Sequence, residues 1–280
     1  MTTGKIKKRL ATTMIYFFLV LIAIACIYPI LWIVMASLNP GTSLFGTTLI
    51  PDQLTTVHYV TLFTEHNFGL WYRNTLNIAF WTMVMSVVLV IPTAYVLSQF
   101  RFKGRKATLM TMLVLQMFPG FMSMIAIFLL LLQLRLLDTH LGLILVYSGG
   151  AIPFGSWLVK GYFDGLPRSL SEAAKLDGAG NATVFTKIML PLSAPIITFV
   201  ALSNFIAPWM DFILARLVLR SEERKTLAIG LFEMVTGHMH TEFTMFAAGS
   251  VMVAIPITIL FMFLQTVSYT HLTLPTKRIV

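Results

Sequence analysis

An all-α, polytopic membrane protein with six transmembrane helices is the fold class the sequence predicts, and three observations carry that reading. Of the 280 residues, 57% are hydrophobic and only 11% charged, with a mean hydropathy of +0.83. A soluble domain carries roughly a quarter charged residues. Six stretches stay largely apolar over about 20 residues, enough to cross a hydrocarbon core of roughly 30 Å at 1.5 Å per residue. These stretches are continuous rather than alternating, which excludes a barrel of short strands. The hydrophobicity also excludes a disordered chain. Cys26, the one cysteine, cannot staple a disulfide scaffold within the chain.

The spans follow in order. After a cytoplasmic N-terminus (1–11), a membrane domain covers 12–265. Its first span, 12–37, is too long for the apolar region of a signal peptide, and Cys26 within it reads as a small buried side chain. The second, 75–98, follows Trp71 and Tyr72, which suit an interfacial belt. The third covers 107–132, the fourth 141–160, the fifth 191–214 and the sixth 243–266. Pro29, Pro92, Pro119, Pro153, Pro208 and Pro256 lie in or beside them. In lipid such residues survive where neighbouring helices or water satisfy the freed backbone groups.

Lysine and arginine set the orientation. With the N-terminus inside, Lys5, Lys7, Lys8, Arg9, the cluster Arg101, Lys103, Arg105 and Lys106, and Lys160, Arg168, Lys175 and Lys187 are cytoplasmic. Only Arg73, Arg135, Arg216, Arg220, Arg224 and Lys225 fall outside. The net charge of +9 is therefore a topology signal. Nucleic-acid binding would need basic residues interleaved with aromatics on one face, and no such face is present. Two outer segments are long, 38–74 and 215–242. Inside, only 161–190 is sizeable.

That inner segment is structured by its own residues. Leu166-Pro167-Arg168 is a turn, and Ser169-Leu170-Ser171-Glu172 has the S-x-x-E spacing of a capping box, which predicts reciprocal bonds between Ser169 and Glu172. A short helix through Asp177 follows, and Gly178 can adopt the left-handed conformation that ends it. Asn181 is a second N-cap candidate, for a helix over 182–190 that stops before Pro191. On the first helix Leu170, Ala173, Ala174 and Asp177 share a face, where the small alanines allow close approach of another surface. Two readings stand at this point: an amphipathic connector resting on headgroups, or a stiff element that transmits force.

The residues also carry a resemblance. Glu172-Ala173-Ala174, three residues, Gly178, nine residues, Ile188, one residue and Leu190-Pro191 is similar to the EAA loop of bacterial ABC importer permeases, with every position filled. Leu115-Gln116-Met117-Phe118-Pro119, Lys160-Gly161-Tyr162-Phe163, Trp209-Met210-Asp211-Phe212 and 254–259 resemble the maltose-type, MalG-like branch. The resemblance covers about 12–265. It implies a sugar importer in which this chain and a second, MalF-like permease form the pore. A dimeric ATP-binding subunit would sit below and an extracytoplasmic solute-binding protein above, delivering a maltodextrin or related oligosaccharide. Carried onto this chain, Glu172, Ala173, Ala174, Asp177 and Gly178 would make the ATPase contact. The outer loop at 232–241 would touch the binding protein.

No G-x-x-x-x-G-K-[ST] phosphate loop occurs in the sequence, so nucleotide chemistry is expected from the partner and no cofactor from this chain. The translocation path should be lined by rare polar groups facing the bundle interior. Candidates are Gln116, Ser123, Ser148, Asn204 and Asp211, with Trp209, Phe118 and Phe121 as aromatic platforms for sugar. Serine in a membrane helix also bonds its own backbone commonly. His238-Met239-His240 supplies two ligands where a metal site needs at least three, and no metal is expected. Glu222, Glu223, Arg224 and Lys225 read as a solvated outer turn. The segment 266–280 departs from the family: 267–272 looks like translated sequencing-adaptor DNA, so an assembly artefact is expected there. An ion-coupled transporter or channel, and a membrane assembly factor without transport, are the competing functions. The first of these would show intramembrane ionisable groups and repeat symmetry.

Overall fold

A computed structural model describes residues 2–42, 50–236 and 242–272, and these residues form helices and turns throughout. The helices are α1 (Thr2–Ser37), α2 (Val57–Thr64), α3 (Phe68–Gln99), α4 (Arg105–Met117), α5 (Gly120–Gln133), α6 (His140–Gly165) and α7 (Arg168–Leu176). Then come α8 (Asn181–Val184), a π-helical turn (Phe185–Met189), α9 (Leu190–Leu192), α10 (Ala194–Met210) and α11 (Ile213–Val218). A 3₁₀ turn (Glu222–Arg224), α12 (Leu227–Thr236) and α13 (Phe243–Leu272) complete the order. The Val267–Leu272 stretch belongs to α13, whereas 273–280 and the His238–His240 pair lie outside the described residues.

Among the described residues, four helical segments can cross a bilayer unaided: Lys8–Ser37, Phe68–Gln99, His140–Gly165 and Phe243–Phe263. Two bent pairs raise the number to six if each pair is one span: α4 with α5 at 103°, and Asn181–Leu192 with α10 at 77°. The third span expected over 107–132 is sharply bent at one of the prolines named for the spans, Pro119. Phe118 and Pro119 are both extended (ψ 128° at each), since proline disfavours helical backbone at the residue before it and brings no N–H of its own. The fifth span is corrected: the chain breaks at Ser193, and α10 stops at Met210 before a separate α11. The second begins earlier than expected, so Trp71 and Tyr72 lie inside α3. Cys26 is exposed rather than buried, because no residue in the most apolar stretch of α1 is buried within the chain.

The chain divides into two compact units, Met1–Asn67 with Leu231–Ala254, and Phe68–Gly230 with Ile255–Val280. In the first, the end of α1 is tied down by polar contacts. The Ser37 hydroxyl lies 2.8 Å from that of Tyr59, His58 Nε2 donates to the Asn39 carbonyl at 2.7 Å, and Thr244 Oγ1 donates to the Gly41 carbonyl at 2.6 Å.

In the second unit α3 and α6 pack along their lengths with α10 beside them. Two apolar clusters sit at opposite ends of this group. One gathers Ile78 of α3, Leu143 and Ile144 of α6, and Leu214, Ala215 and Val218 of α11. The other gathers Val90, Ile91, Ala94 and Tyr95 of α3, Val159 and Phe163 of α6, Val184, Met189 and Val200.

Trp71 is buried (5% exposed) and is not a belt residue. Its indole lies over Gly230 so closely that a Cβ there would fall 2.2 Å from Trp71 Cε3. Gly230→Ala should therefore overpack the α3–α12 contact and cost about 1–3 kcal/mol, read as a lowered unfolding temperature in detergent. Gly161→Ala, with nothing within 4 Å of the added atom, should leave that temperature unchanged.

Candidate functional site

The 161–190 segment folds as a helical hairpin whose first helix lies between a proline and a glycine. Pro167, extended at ψ 121°, starts α7, and no side chain caps the first turn. The Ser169–Glu172 capping box expected from sequence does not form, since the helix begins at Arg168 and both residues lie within it. Ser171 instead donates its hydroxyl to the Arg168 carbonyl at 2.9 Å. At the far end Gly178 is left-handed (φ 83°). Its N–H reaches the Lys175 carbonyl at 3.0 Å, and that of Ala179 reaches Ala174 at 2.9 Å. This pair of bonds is a Schellman closure, which satisfies the last carbonyls of the helix.

The second arm also differs from expectation. Gly180, not Asn181, stands at the cap position, and the arm continues through Pro191 to Leu192. A π-helical turn immediately before the proline makes this possible. Leu190 N–H bonds to the Phe185 carbonyl, and the widened backbone relieves the clash a proline ring makes with the preceding turn.

Glu172, Ala173 and Asp177 are exposed on the hairpin, and Leu176 is 89% exposed. The two alanines play different parts, because Ala174 is half-buried and packs with Ala179 against the cluster around Tyr95. Tyr95 is the centre of that cluster. Its ring centroid lies 6.0 Å from Phe163 of α6, 4.7 Å from Phe185 of the second arm and 5.8 Å from Phe100. Its hydroxyl donates to the Asn181 carbonyl at 3.3 Å. Around it, Ser98 and Lys160 both donate to Asp164, at 2.6 and 2.5 Å, joining α3 to α6. Tyr162 donates to the Leu192 carbonyl at 3.0 Å. Ala174 and Ala179 thus seat the hairpin on a cluster contributed by α3 and α6.

The candidate path residues are not gathered in one place. Gln116 and Ser123 are exposed on either side of the break at Phe118–Pro119, and Ser123 donates to the Gly120 carbonyl at 2.7 Å. Phe118 and Phe121 are exposed beside them. Asn204 donates to the Val200 carbonyl of its own helix at 2.8 Å. Ser148 is buried and bonds to the Ile144 carbonyl. Trp209 is buried between Tyr72 and Phe205, with centroids at 5.6 and 5.9 Å, so its ring presents no open face within the chain. Asp211 accepts from the Tyr147 hydroxyl at 2.7 Å and from the Leu214 N–H at 3.2 Å, which fixes the turn from α10 into α11.

At the end of α3 and α6 away from the hairpin, a polar clasp closes the structure. Asp138 Oδ1 accepts the N–H groups of Arg220 and Ser221 at 2.8 and 3.0 Å, its Oδ2 accepts from the Ser221 hydroxyl, and Arg224 stands 4.0 Å away. Asn74 donates to the Glu223 and Lys225 carbonyls, and Thr75 Oγ1 accepts from Leu227 N–H at 2.8 Å. The solvated turn expected at 222–225 is corrected at one position. Glu222, Glu223 and Arg224 are exposed but Lys225 is buried, because these bonds draw its backbone onto α3.

Comparison with known proteins places this geometry in a family. Residues 90–273 match the model of the "Binding-protein-dependent transport system inner membrane component". The chain belongs to that family. This permease is 42% identical to the galactooligosaccharides transport permease GanQ of Bacillus subtilis (strain 168), over 93% of both chains. It is 38% identical to the maltodextrin permease MdxG of the same organism over 94% of each chain. Its identity to the maltose/maltodextrin permease MalG of Escherichia coli (strain K12) is 35%, over 92% of each. In structure it is similar to a chain of a bacterial ABC transporter that imports alginate, with TM-score 0.79 and 25% identity over 93% of this chain and 97% of that one. It is a multi-pass, inner-membrane permease of the ABC importer type.

Sequence reasoning missed three features of this permease: Tyr95 at the centre of its cluster, the exposed Leu176 and the clasp at Asp138. The signal for Asp138 was a lone carboxylate between two spans; the partners that explain it lie more than eighty residues away. Burial opposes its ionisation, but the hydrogen bonds from Ser221 and Arg220 and the charge of Arg224 outweigh that cost and hold its carboxyl below the usual range. A carboxylate depressed in the folded state stabilises above its unfolded value, and the contribution is lost as pH falls through the folded one. Acidification below about pH 4 should therefore raise hydrogen exchange at the Arg220 and Ser221 amides. Asp138→Asn should raise it already at neutral pH and remove the acid dependence.

Proposed function

We propose that this permease forms half of the translocation pore of an ATP-driven, binding-protein-dependent importer of maltodextrins or a related oligosaccharide. The observation that carries the proposal is α7: a closed, outward-exposed helix seated on the aromatic cluster at the ends of α3 and α6. A separate nucleotide-hydrolysing subunit grips Glu172, Ala173, Leu176 and Asp177, and its closure tilts α3 and α6 together. Six spans with a cytoplasmic N-terminus put this face on the side of the ATPase. A second, MalF-like permease completes the pore, and a solute-binding protein delivers cargo at the opposite end. Hydrolysis belongs to the dimeric ATP-binding subunit, so the permease itself is not an enzyme. The sugar class is supported by the relatives, whose names specify galactooligosaccharides, maltodextrin and maltose. No observation favours an ion-coupled transporter.

The test is sugar uptake by proteoliposomes holding the full importer. Gly178→Val places a β-branched side chain at φ 83°, a conformation costing such a residue roughly 1–2 kcal/mol, and deforms the end of α7. Uptake should fall at least about tenfold with the permease still present in the membrane and ATP still hydrolysed. Normal uptake in this variant, or failure of Ala173→Cys to crosslink to an ATP-binding subunit, would contradict the assignment.

A further inference from the structure

The end of the molecule that carries the hairpin has a second surface that coupling does not use. An open groove of about 370 Å³ runs between the C-terminal part of α3 and the start of α4, lined by Pro92, Thr93, Val96, Leu97, Phe102 and Thr108. It is apolar for a structural reason. The Thr93 hydroxyl donates to the Leu89 carbonyl at 2.6 Å and that of Thr108 to the Gly104 carbonyl at 3.2 Å. Both threonines have thus spent their donors on their own helices, and Pro92 has no N–H to offer. A sugar or a peptide backbone would find no donor along these walls and would stay unsatisfied there.

The rim has the opposite character. Residues 101–106 read Arg-Phe-Lys-Gly-Arg-Lys, without an acidic residue. Arg101, Lys103 and Lys106 are exposed on either side of the left-handed Gly104. Arg105 is half-buried at the mouth of the groove, donating through Nε to the Leu97 carbonyl at 2.7 Å and through Nη2 to Ser98 at 3.5 Å. Asp164, the nearby carboxylate, already accepts from Lys160 and Ser98. An apolar slot beside a span that opens under a ring of cations matches one chemistry: an acyl chain attached to an anionic headgroup.

We infer that this groove binds an anionic phospholipid of the phosphatidylglycerol type. One acyl chain lies along Pro92, Val96 and Phe102, and the phosphate is held by Arg101, Lys103 and Lys106. The lipid fills the space between α3 and α4 and so braces the end of α3 that carries Tyr95. The inference rests on the proposed membrane placement of α3 and α4 but not on the α7 contact.

The test is native mass spectrometry of the full permease in detergent, titrated with phosphatidylglycerol and, separately, with phosphatidylcholine. The wild type should hold phosphatidylglycerol the more tightly. The triple variant Arg101→Gln/Lys103→Gln/Lys106→Gln should lose at least about tenfold in affinity for it, given roughly fivefold for each basic residue removed near a lipid surface. The charge-keeping set Arg101→Lys/Lys103→Arg/Lys106→Arg should bind as the wild type does. Val96→Trp, which fills the slot, should displace the lipid while the rim stays intact. Undiminished phosphatidylglycerol binding in the triple variant, or in Val96→Trp, would overturn the inference. So would a crosslink from Val96→Cys to the second permease in the assembled importer, which would make the occupant a protein segment. Gly178→Val should bind lipid normally, so failure of the coupling account and failure of this one give different results.

Discussion

The packing of Tyr95 against Phe163 and Phe185 is the contact on which the rest of this structure depends. In the proposed importer this joint must not yield, because any slack between motor and pore dissipates the stroke. Aromatic edge and tilted contacts at centroid separations of 4.7–6.0 Å are worth about 0.5–1.5 kcal/mol each beyond the area they bury. Here they converge on one side chain from α6, the second arm and the turn after α3. The Ser98–Asp164–Lys160 hydrogen bonds then fix the same end of α3 and α6 in register. Charge-assisted bonds of this kind are roughly twice as strong as neutral ones. The hairpin, α3 and α6 are in consequence one packed piece.

At the far end of that piece the fastening is of another kind. Asp138, Asn74 and Thr75 satisfy backbone N–H and C=O groups of the 219–227 segment one by one. A loop has no regular partner for those groups, and each one buried without a bond would cost free energy. The hairpin end is thus held by packed rings and the opposite end by directed polar bonds. In the proposed importer the first suits force transmission, and the second can rearrange through a few hydrogen bonds when the helices tilt.

The spans were legible in the sequence because apolar length is a property of the chain itself. Which of their prolines would bend the chain was not. Pro92, Pro153 and Pro208 lie inside continuous helices, whereas Pro119 ends one; which outcome occurs depends on whether neighbours satisfy the freed carbonyls, and that is tertiary information. Gly178 was legible because only glycine takes φ 83° without strain. The Ser169–Glu172 cap failed because the same four residues fit equally well inside the first turns of a helix that Pro167 starts. Lys225 was misread for a similar reason: a charged run looks solvated until distant amides pull one member of it down. The role of Tyr95 could not be seen at all, since its partners come together only when α6 and the second arm fold back onto α3. Of the path residues, Asp211 showed its partner only once Tyr147 was placed beside it.

The central claim is that α7 and the end of α3 move as a single body, and a distance measurement tests it directly. Spin labels at Ala173→Cys on α7 and Gln99→Cys on α3, in a Cys26→Ser background within the assembled importer, report their separation by pulsed electron resonance. Across the nucleotide-free, ATP-bound and post-hydrolysis states that separation should stay within the spread of the labels, while a label pair between α3 and the second permease shifts. A distribution for the α7–α3 pair that moves with nucleotide would contradict the account, since the hairpin would then swing on a hinge instead of carrying the helices with it.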